Sequence, residues 1–273
     1  MKPNRVFGVD FSGAKDADRK IWIAGGALDG DTLRLDLCRR LENLPGPGSR
    51  LERALTTLRT FVTQQAPCVV GLDFPFGLPR ILVEEERWED FALGFSGRYP
   101  DADRFQMSCT LTAFERTGYK ELRRDTDIEA KTPLSPYNRR IYKQTFYGIR
   151  DVIAPLVANG AACVLPMQTA LPDRTWLVEI CPASTLELMG LRRSYKDENG
   201  RDYRWVRDDI LTKVTQPFGI EVPDQIRHLV DADRKGDALD SIIAALATLR
   251  ALRESIDTAG SSDPALVEGH VYV

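Results

Sequence analysis

Apolar residues change their period along this chain, and each change marks an element. Arg5 to Phe11 is an apolar run that reads as a first strand, and after the turn Ser12-Gly13-Ala14-Lys15 a second begins at Lys20 to Ala24. The Asp29-Gly30-Asp31 turn leads to a third strand at Thr32 to Cys38. There Leu33, Leu35 and Leu37 alternate with polar residues, which predicts an antiparallel meander with one buried face. Pro45-Gly46-Pro47-Gly48 breaks the chain, and Ser49 with Glu52 forms a capping box ahead of a helix whose Leu51, Leu55, Leu58 and Val62 recur at helical spacing. Residues 68–74 are apolar almost throughout, as expected of a strand covered on both faces.

From about residue 80 to 137 the periodicity weakens, which predicts an insertion of short helices. A helix follows at about 138–158, with Ile141, Thr145, Ile149, Val152 and Leu156 on one stripe. Another strand runs from Thr175 to Cys181, with room for an edge strand before it at Ala162 to Leu165. Residues 190–230 form a second, more polar insertion with a helix near 204–215. The last helix spans about Asp237 to Arg253, and residues 255–273 read as a C-terminal tail. Three meander strands, helix, strand, helix, strand, helix is the order of the ribonuclease-H-like α/β fold. The expectation is one such domain over 1–254, a mixed five-stranded sheet flanked by helices, with insertions at about 80–137 and 190–230.

Composition narrows the class only slightly. The 273 residues are 43% hydrophobic and 28% charged with a net charge of −3, so nucleic-acid binding depends on local basic patches. Five cysteines without a CxxC pair and two histidines suggest neither a disulfide framework nor a zinc site. No apolar run reaches the ~20 residues that span a bilayer, and no signal peptide precedes the first strand. A cytoplasmic protein with no membrane partner is expected.

The candidate chemistry is acidic. Gly8-Val9-Asp10-Phe11 has a near copy in Gly71-Leu72-Asp73-Phe74. With a period of two, each Asp shares a strand face with the Gly two residues before it, so two parallel strands of this kind can approach closely and bring Asp10 and Asp73 together. Asp237 and Asp240 lie three apart on one face of the last helix, and Glu179 lies near the end of the strand at 175–181. Carboxylates converging from distant segments repel each other unless a hard cation binds, and Mg²⁺ or Mn²⁺ is the natural one. Bland readings stand beside this. Either strand Asp alone can cap a turn, Asp237 can be a first-turn helix anion, and Glu179 can pair with an arginine. Asp240, inside an apolar helix, is hardest to explain without a partner.

The segments GVDFSGA (8–14), GLDFPFGLP (71–79), EICPAS (179–184) and GDALDSIIAALA (236–247) resemble those of domain-of-unknown-function family 429, proteins described as predicted ribonuclease-H-like nucleases. The last segment also resembles the closing helix of Holliday-junction resolvases, with Asp237 and Asp240 in its acidic positions. The resemblance implies the fold and a metal site of Asp10, Asp73, Asp237 and Asp240. Ribonucleases H proper complete that site with a Glu on the first helix; here the extra acid is Glu179, on a strand.

Between 116 and 150 nine Lys or Arg face four acids, with Tyr119, Tyr137, Tyr142, Phe146 and Tyr147 interleaved. Arg124, Lys131, Arg139, Arg140 and Lys143 are the expected contacts to a DNA or RNA backbone, the alternative being a solvated face over core rings. Residues 192–207 add six more basic residues against three acids. The leading expectation is a Mg²⁺-dependent nuclease with Asp10, Asp73, Asp237, Asp240 and Glu179 as catalytic acids. Two others remain: an ATP-binding enzyme, since GVDFSGA also resembles the phosphate loop of actin-like ATPases and sugar kinases, and an inactive binding module of the same fold.

Overall fold

A computed structural model describes residues 2–41, 49–198, 200–254, 256 and 264–273. The Pro45–Gly48 break, and residues 255 and 257–263 of the expected tail, lie outside the described residues.

β1 (Arg5–Asp10), β2 (Trp22–Asp29) and β3 (Thr32–Arg40) form the antiparallel meander, and the capping box expected at Ser49 starts α1 (Arg50–Gln64) with both reciprocal bonds made. The chain then returns along β4 (Val69–Leu72), parallel to β1 with Gly8 opposite Gly71. The first insertion holds α2 (Trp88–Arg98), α3 (Ala102–Thr117) and α4 (Asp125–Glu129). The helix expected at 138–158 is three pieces: α5 (Tyr142–Gly148), a π-helical turn (Ile149–Ile153) and α6 (Ala154–Ala158). Pro155, which has no N–H to give to the α ladder, stands at the start of the last piece.

β5 (Ala162–Val164) and β6 (Thr175–Ile180) extend the sheet in parallel, followed by α7 (Pro182–Leu188), α8 (Arg204–Thr215), β7 (Ile220–Glu221), α9 (Asp224–Ala232), α10 (Asp237–Arg253) and β8 (Val271–Tyr272). The sheet has eight strands, in the order β5-β6-β4-β1-β2-β3-β7 with β8 on β6, where five were expected. β7 and β8 are two residues each, too short for a period-two pattern to register in sequence.

Helices cover both faces. Phe7, Val9, Phe11, Val70, Leu72 and Phe74 pack with α1, α2, α3 and α5 on one side, while Val6, Val69, Trp176 and Val178 pack with α8, α9 and α10 on the other. α10 lies across β1, β2 and β4 and is buried on nearly all sides, which explains its apolar, Ala-rich sequence.

The last residues are part of the fold rather than a free tail. Glu268 is buried and its carboxylate accepts the backbone N–H groups of Arg80 and Asp125, while Val271 N–H donates to Thr126 Oγ1 at 2.8 Å. Among the described residues no helix is long and apolar enough to cross a membrane, and all five cysteines are free.

Candidate metal centre

Two glycines set the geometry of the centre. On β1 the α10 face carries Val6, Gly8 and Asp10, and on β4 it carries Val69, Gly71 and Asp73. A Cβ added to Gly8 would fall onto the backbone of Ala244 and Ala245, and one added to Gly71 onto Thr248 Oγ1. The backbone of α10 therefore rests directly on β1 at Gly8, and its Thr248 side chain rests on β4 at Gly71. That close approach lowers the first turn of α10, with Asp237 and Asp240, onto the strand ends carrying Asp10 and Asp73. Asp73 sits one residue past β4, its N–H continuing the ladder to Val9 O at 3.1 Å.

Asp10, Asp237 and Asp240 each present an oxygen within 4.8 Å of the other two. Asp73 stands close enough that its charge acts on Asp10 and that the charge of Asp240 acts on it. Burial raises the Asp10 carboxyl well above the usual range, and the charges of Asp240, Asp73 and Asp237 raise it further. Burial, then Asp240, pushes Asp73 up to about 8. Asp237 is raised too, chiefly by burial. Burial and crowding thus favour the protonated forms of Asp10 and Asp73 unless a cation compensates them.

One cation already reaches in from the second insertion. Lys196 Nζ is 2.7 Å from Asp240 Oδ2 and 3.8 Å from Asp237 Oδ1, and Tyr195 donates its hydroxyl to Asp240 Oδ1. In the sequence Lys196 is one of six basic residues in 192–207 and Tyr195 carries no signal, because nothing local shows a loop some forty residues upstream of Asp240 folding back on it.

Glu179 does not join this group. Register pairs it with Leu72, not with Asp73, so its side chain projects from the sheet face opposite to Asp10 and Asp73. There it meets Arg124, which is 1% exposed and therefore not open to a nucleic-acid backbone. All five guanidinium N–H donors of Arg124 are taken: by both oxygens of Asp127, both of Glu179 and the carbonyl of Glu268. Glu179 also accepts Phe76 N–H at 2.8 Å. The expected catalytic role of Glu179 and backbone-binding role of Arg124 are thus both corrected to a buried structural network. Removing its cation strands two carboxylates, so Arg124→Met is expected to cost about 3–5 kcal/mol in denaturant unfolding. Glu179→Gln should cost less than half of that, since Arg124 keeps Asp127. Neither change touches a carboxylate of the acid cluster.

Lys131, Arg139, Arg140 and Lys143 are exposed. The last three flank the start of α5, which the loop after β1 touches directly: Gln144 Nε2 donates to Phe11 O at 2.6 Å, and Gly13 packs on the Lys143 backbone. Of the interleaved rings, Tyr137 and Phe146 are core, whereas Tyr119 is 71% exposed.

A family model described as "Protein of unknown function (DUF429)" matches residues 8–264. No curated protein and no solved structure matches the chain.

Proposed function

The chain belongs to the DUF429 family, and from the geometry of its own centre we propose that it is a divalent-metal-dependent nuclease of ribonuclease-H-like architecture, hydrolysing phosphodiester bonds of DNA or RNA. The carrying observation is the convergence of Asp10, Asp237 and Asp240 within 4.8 Å, with Asp73 beside them. The strand order β3-β2-β1-β4-β6, antiparallel through the meander and parallel beyond it, supports the architecture.

The donor set fits Mg²⁺ or Mn²⁺: carboxylate oxygens only, with no histidine or thiolate among them. Asp10, Asp237 and Asp240 would hold the ion, with Asp73 as a further ligand. Bound there, it supplies Lewis-acid activation of water and offsets charge on the phosphodiester. The chain's own groups do the rest. Asp10 is held by β1 and Asp240 by a buried helix, so their oxygens are fixed before substrate arrives. Lys196 adds positive charge at the edge of the cluster, and the exposed Arg139, Arg140, Lys143 and Lys131 provide phosphate contacts whose strength falls with salt.

The test is direct: purified protein with Mg²⁺ or Mn²⁺, offered single-stranded, duplex, hybrid and branched nucleic acids. Metal-dependent cleavage is expected, and its absence on every substrate refutes the reading. Lys196 competes with the metal for Asp240 and Asp237, so Lys196→Ala should tighten Mn²⁺ binding about tenfold by calorimetry, equivalent to about 1.4 kcal/mol. Unchanged affinity would show that the ammonium does not compete for those oxygens.

A further inference from the structure

Beside the acid cluster lies a cavity of about 220 Å³, with Asp73 in its wall. Its apolar walls include Phe74, Pro75, Leu134, Ile141 and Ile180. Drug-sized sites occupy about 300–1,000 Å³, so this one suits a single ring system.

The polar part of the lining restricts the occupant further. Arg124 is the cation of the lining against Asp73, Asp127 and Glu179, and every N–H of its guanidinium is already donated inside the protein. Thr132 likewise donates its hydroxyl to Asp127 Oδ1 at 2.9 Å. A phosphate or carboxylate would meet three acidic side chains and no unpaired cation. Gln144 gives one of its two Nε2 hydrogens to Phe11 O, and its amide oxygen accepts no hydrogen bond among the described residues. The cavity therefore presents apolar walls with an amide that can both accept and donate, suited to a neutral ring with hydrogen-bonding groups on its edge.

Building on the nuclease reading, we infer that this cavity receives one unpaired nucleobase of the nucleotide next to the scissile phosphate, whose phosphate lies at the acid cluster on the other side of Asp73. A base still paired in a duplex cannot enter. The substrates are consequently single-stranded or carry an unpaired nucleotide at the cut, and extracting a base from a stack costs a few kcal/mol. Apolar and aromatic contact with the base tolerates sequence, so preference for structure exceeds preference for sequence.

Two measurements decide this and separate its failure from that of the nuclease reading. The first needs neither metal nor turnover: nucleosides are titrated into full-length, metal-free protein by protein-observed NMR, with ribose 5-phosphate as comparison. Saturable nucleoside binding is expected, weakened about tenfold or more by Ala183→Leu, which fills the cavity from α7, and by Leu134→Trp, which fills it from the loop before α5. No nucleoside binding, binding unaffected by both fillings, or equal binding of ribose 5-phosphate overturns the proposal. The second is Mn²⁺-dependent cleavage of single-stranded oligonucleotides with one abasic residue moved along the strand. Loss of cleavage at the bond beside the abasic position is expected. Cleavage indifferent to that position refutes the base pocket while leaving the nuclease standing, and nucleoside binding without cleavage of any strand supports the pocket while refuting the nuclease.

Discussion

Replacing Asp10 with Asn is expected to remove metal-dependent cleavage while making the metal-free protein more stable. Both halves follow from the same crowding. Asp10 is the residue against which Asp73, Asp237 and Asp240 all press, and it shares the 4.8 Å triad with the last two. Losing a direct ligand should exceed the 10–100-fold cost typical of losing a residue that only orients one, so a fall in turnover of more than about 100-fold is expected. In the absence of metal the same carboxylate is a burden, because its charge is buried among like charges.

The pH dependence carries the sign. Asp10 and Asp73 have folded-state values raised above those of an unfolded chain, so folding favours their protonated forms. Their contribution is fully present below about pH 4, the unfolded value, and is lost as pH rises through the folded value, about 8 for Asp73. Metal-free wild type should therefore lose melting temperature from these groups between pH 4 and 8, and Asp10→Asn should lose less. At pH 8 the variant is expected to melt higher by a few degrees, corresponding to about 1–2 kcal/mol. Mn²⁺ binds the ionised carboxylates, so it should stabilise wild type increasingly as pH rises and leave the variant nearly unmoved. Calorimetric melts across pH, with and without Mn²⁺, check all of this. A variant that melts lower than wild type at pH 8 without metal would contradict the buried like-charge cluster.

Gly8→Ala is expected to be severely damaging for a single added methyl group. The new Cβ meets the backbone of Ala244 and Ala245, which no rotamer change can move aside. Ordinary overpacking costs about 1–3 kcal/mol, and a clash between two backbones inside a buried layer should exceed that, to the point of little soluble protein. Gly71→Ala is the informative companion, because its obstacle is a side chain. The added methyl meets Thr248 Oγ1 and approaches Ile180 side-chain carbons at 3.0 and 3.2 Å. Thr248 otherwise donates its hydroxyl to Ala244 O at 2.7 Å in its own helix. Thr248→Ala should cost about 1 kcal/mol alone. Combined with Gly71→Ala it should recover most of the lost stability, a coupling of more than about 1 kcal/mol in a double-mutant cycle. Strict additivity would mean that α10 does not rest on β4 at this point.

The duplicated Gly-aliphatic-Asp-Phe was legible because strand parity is local. Gly8 and Asp10 share a face whatever the rest of the chain does, and so do Gly71 and Asp73. The three-residue spacing of Asp237 and Asp240 is equally local, as is the capping box at Ser49 and Glu52, whose two bonds form as expected. Glu179 was misplaced for a reason that also lies in the pattern. β6 is covered on both faces, so its sequence shows no alternation, and only the register opposite Leu72 assigns Glu179 to the far side. Arg124 reads as a nucleic-acid backbone contact in the sequence because charge is visible there and burial is not.

Local composition and period by themselves determined the α/β class, the meander, and which acids share a face with a glycine, since each depends on neighbours within a turn or a strand. Tertiary structure alone decided that Lys196 and Tyr195 close over Asp240, that Arg124 is spent inside the protein on Asp127 and Glu179, and that the last residues add a strand to β6. These contacts join positions 44 to more than 90 residues apart or turn on burial, and the free energy that selects them comes from packing and charge compensation in the assembled fold, which no window of the sequence contains.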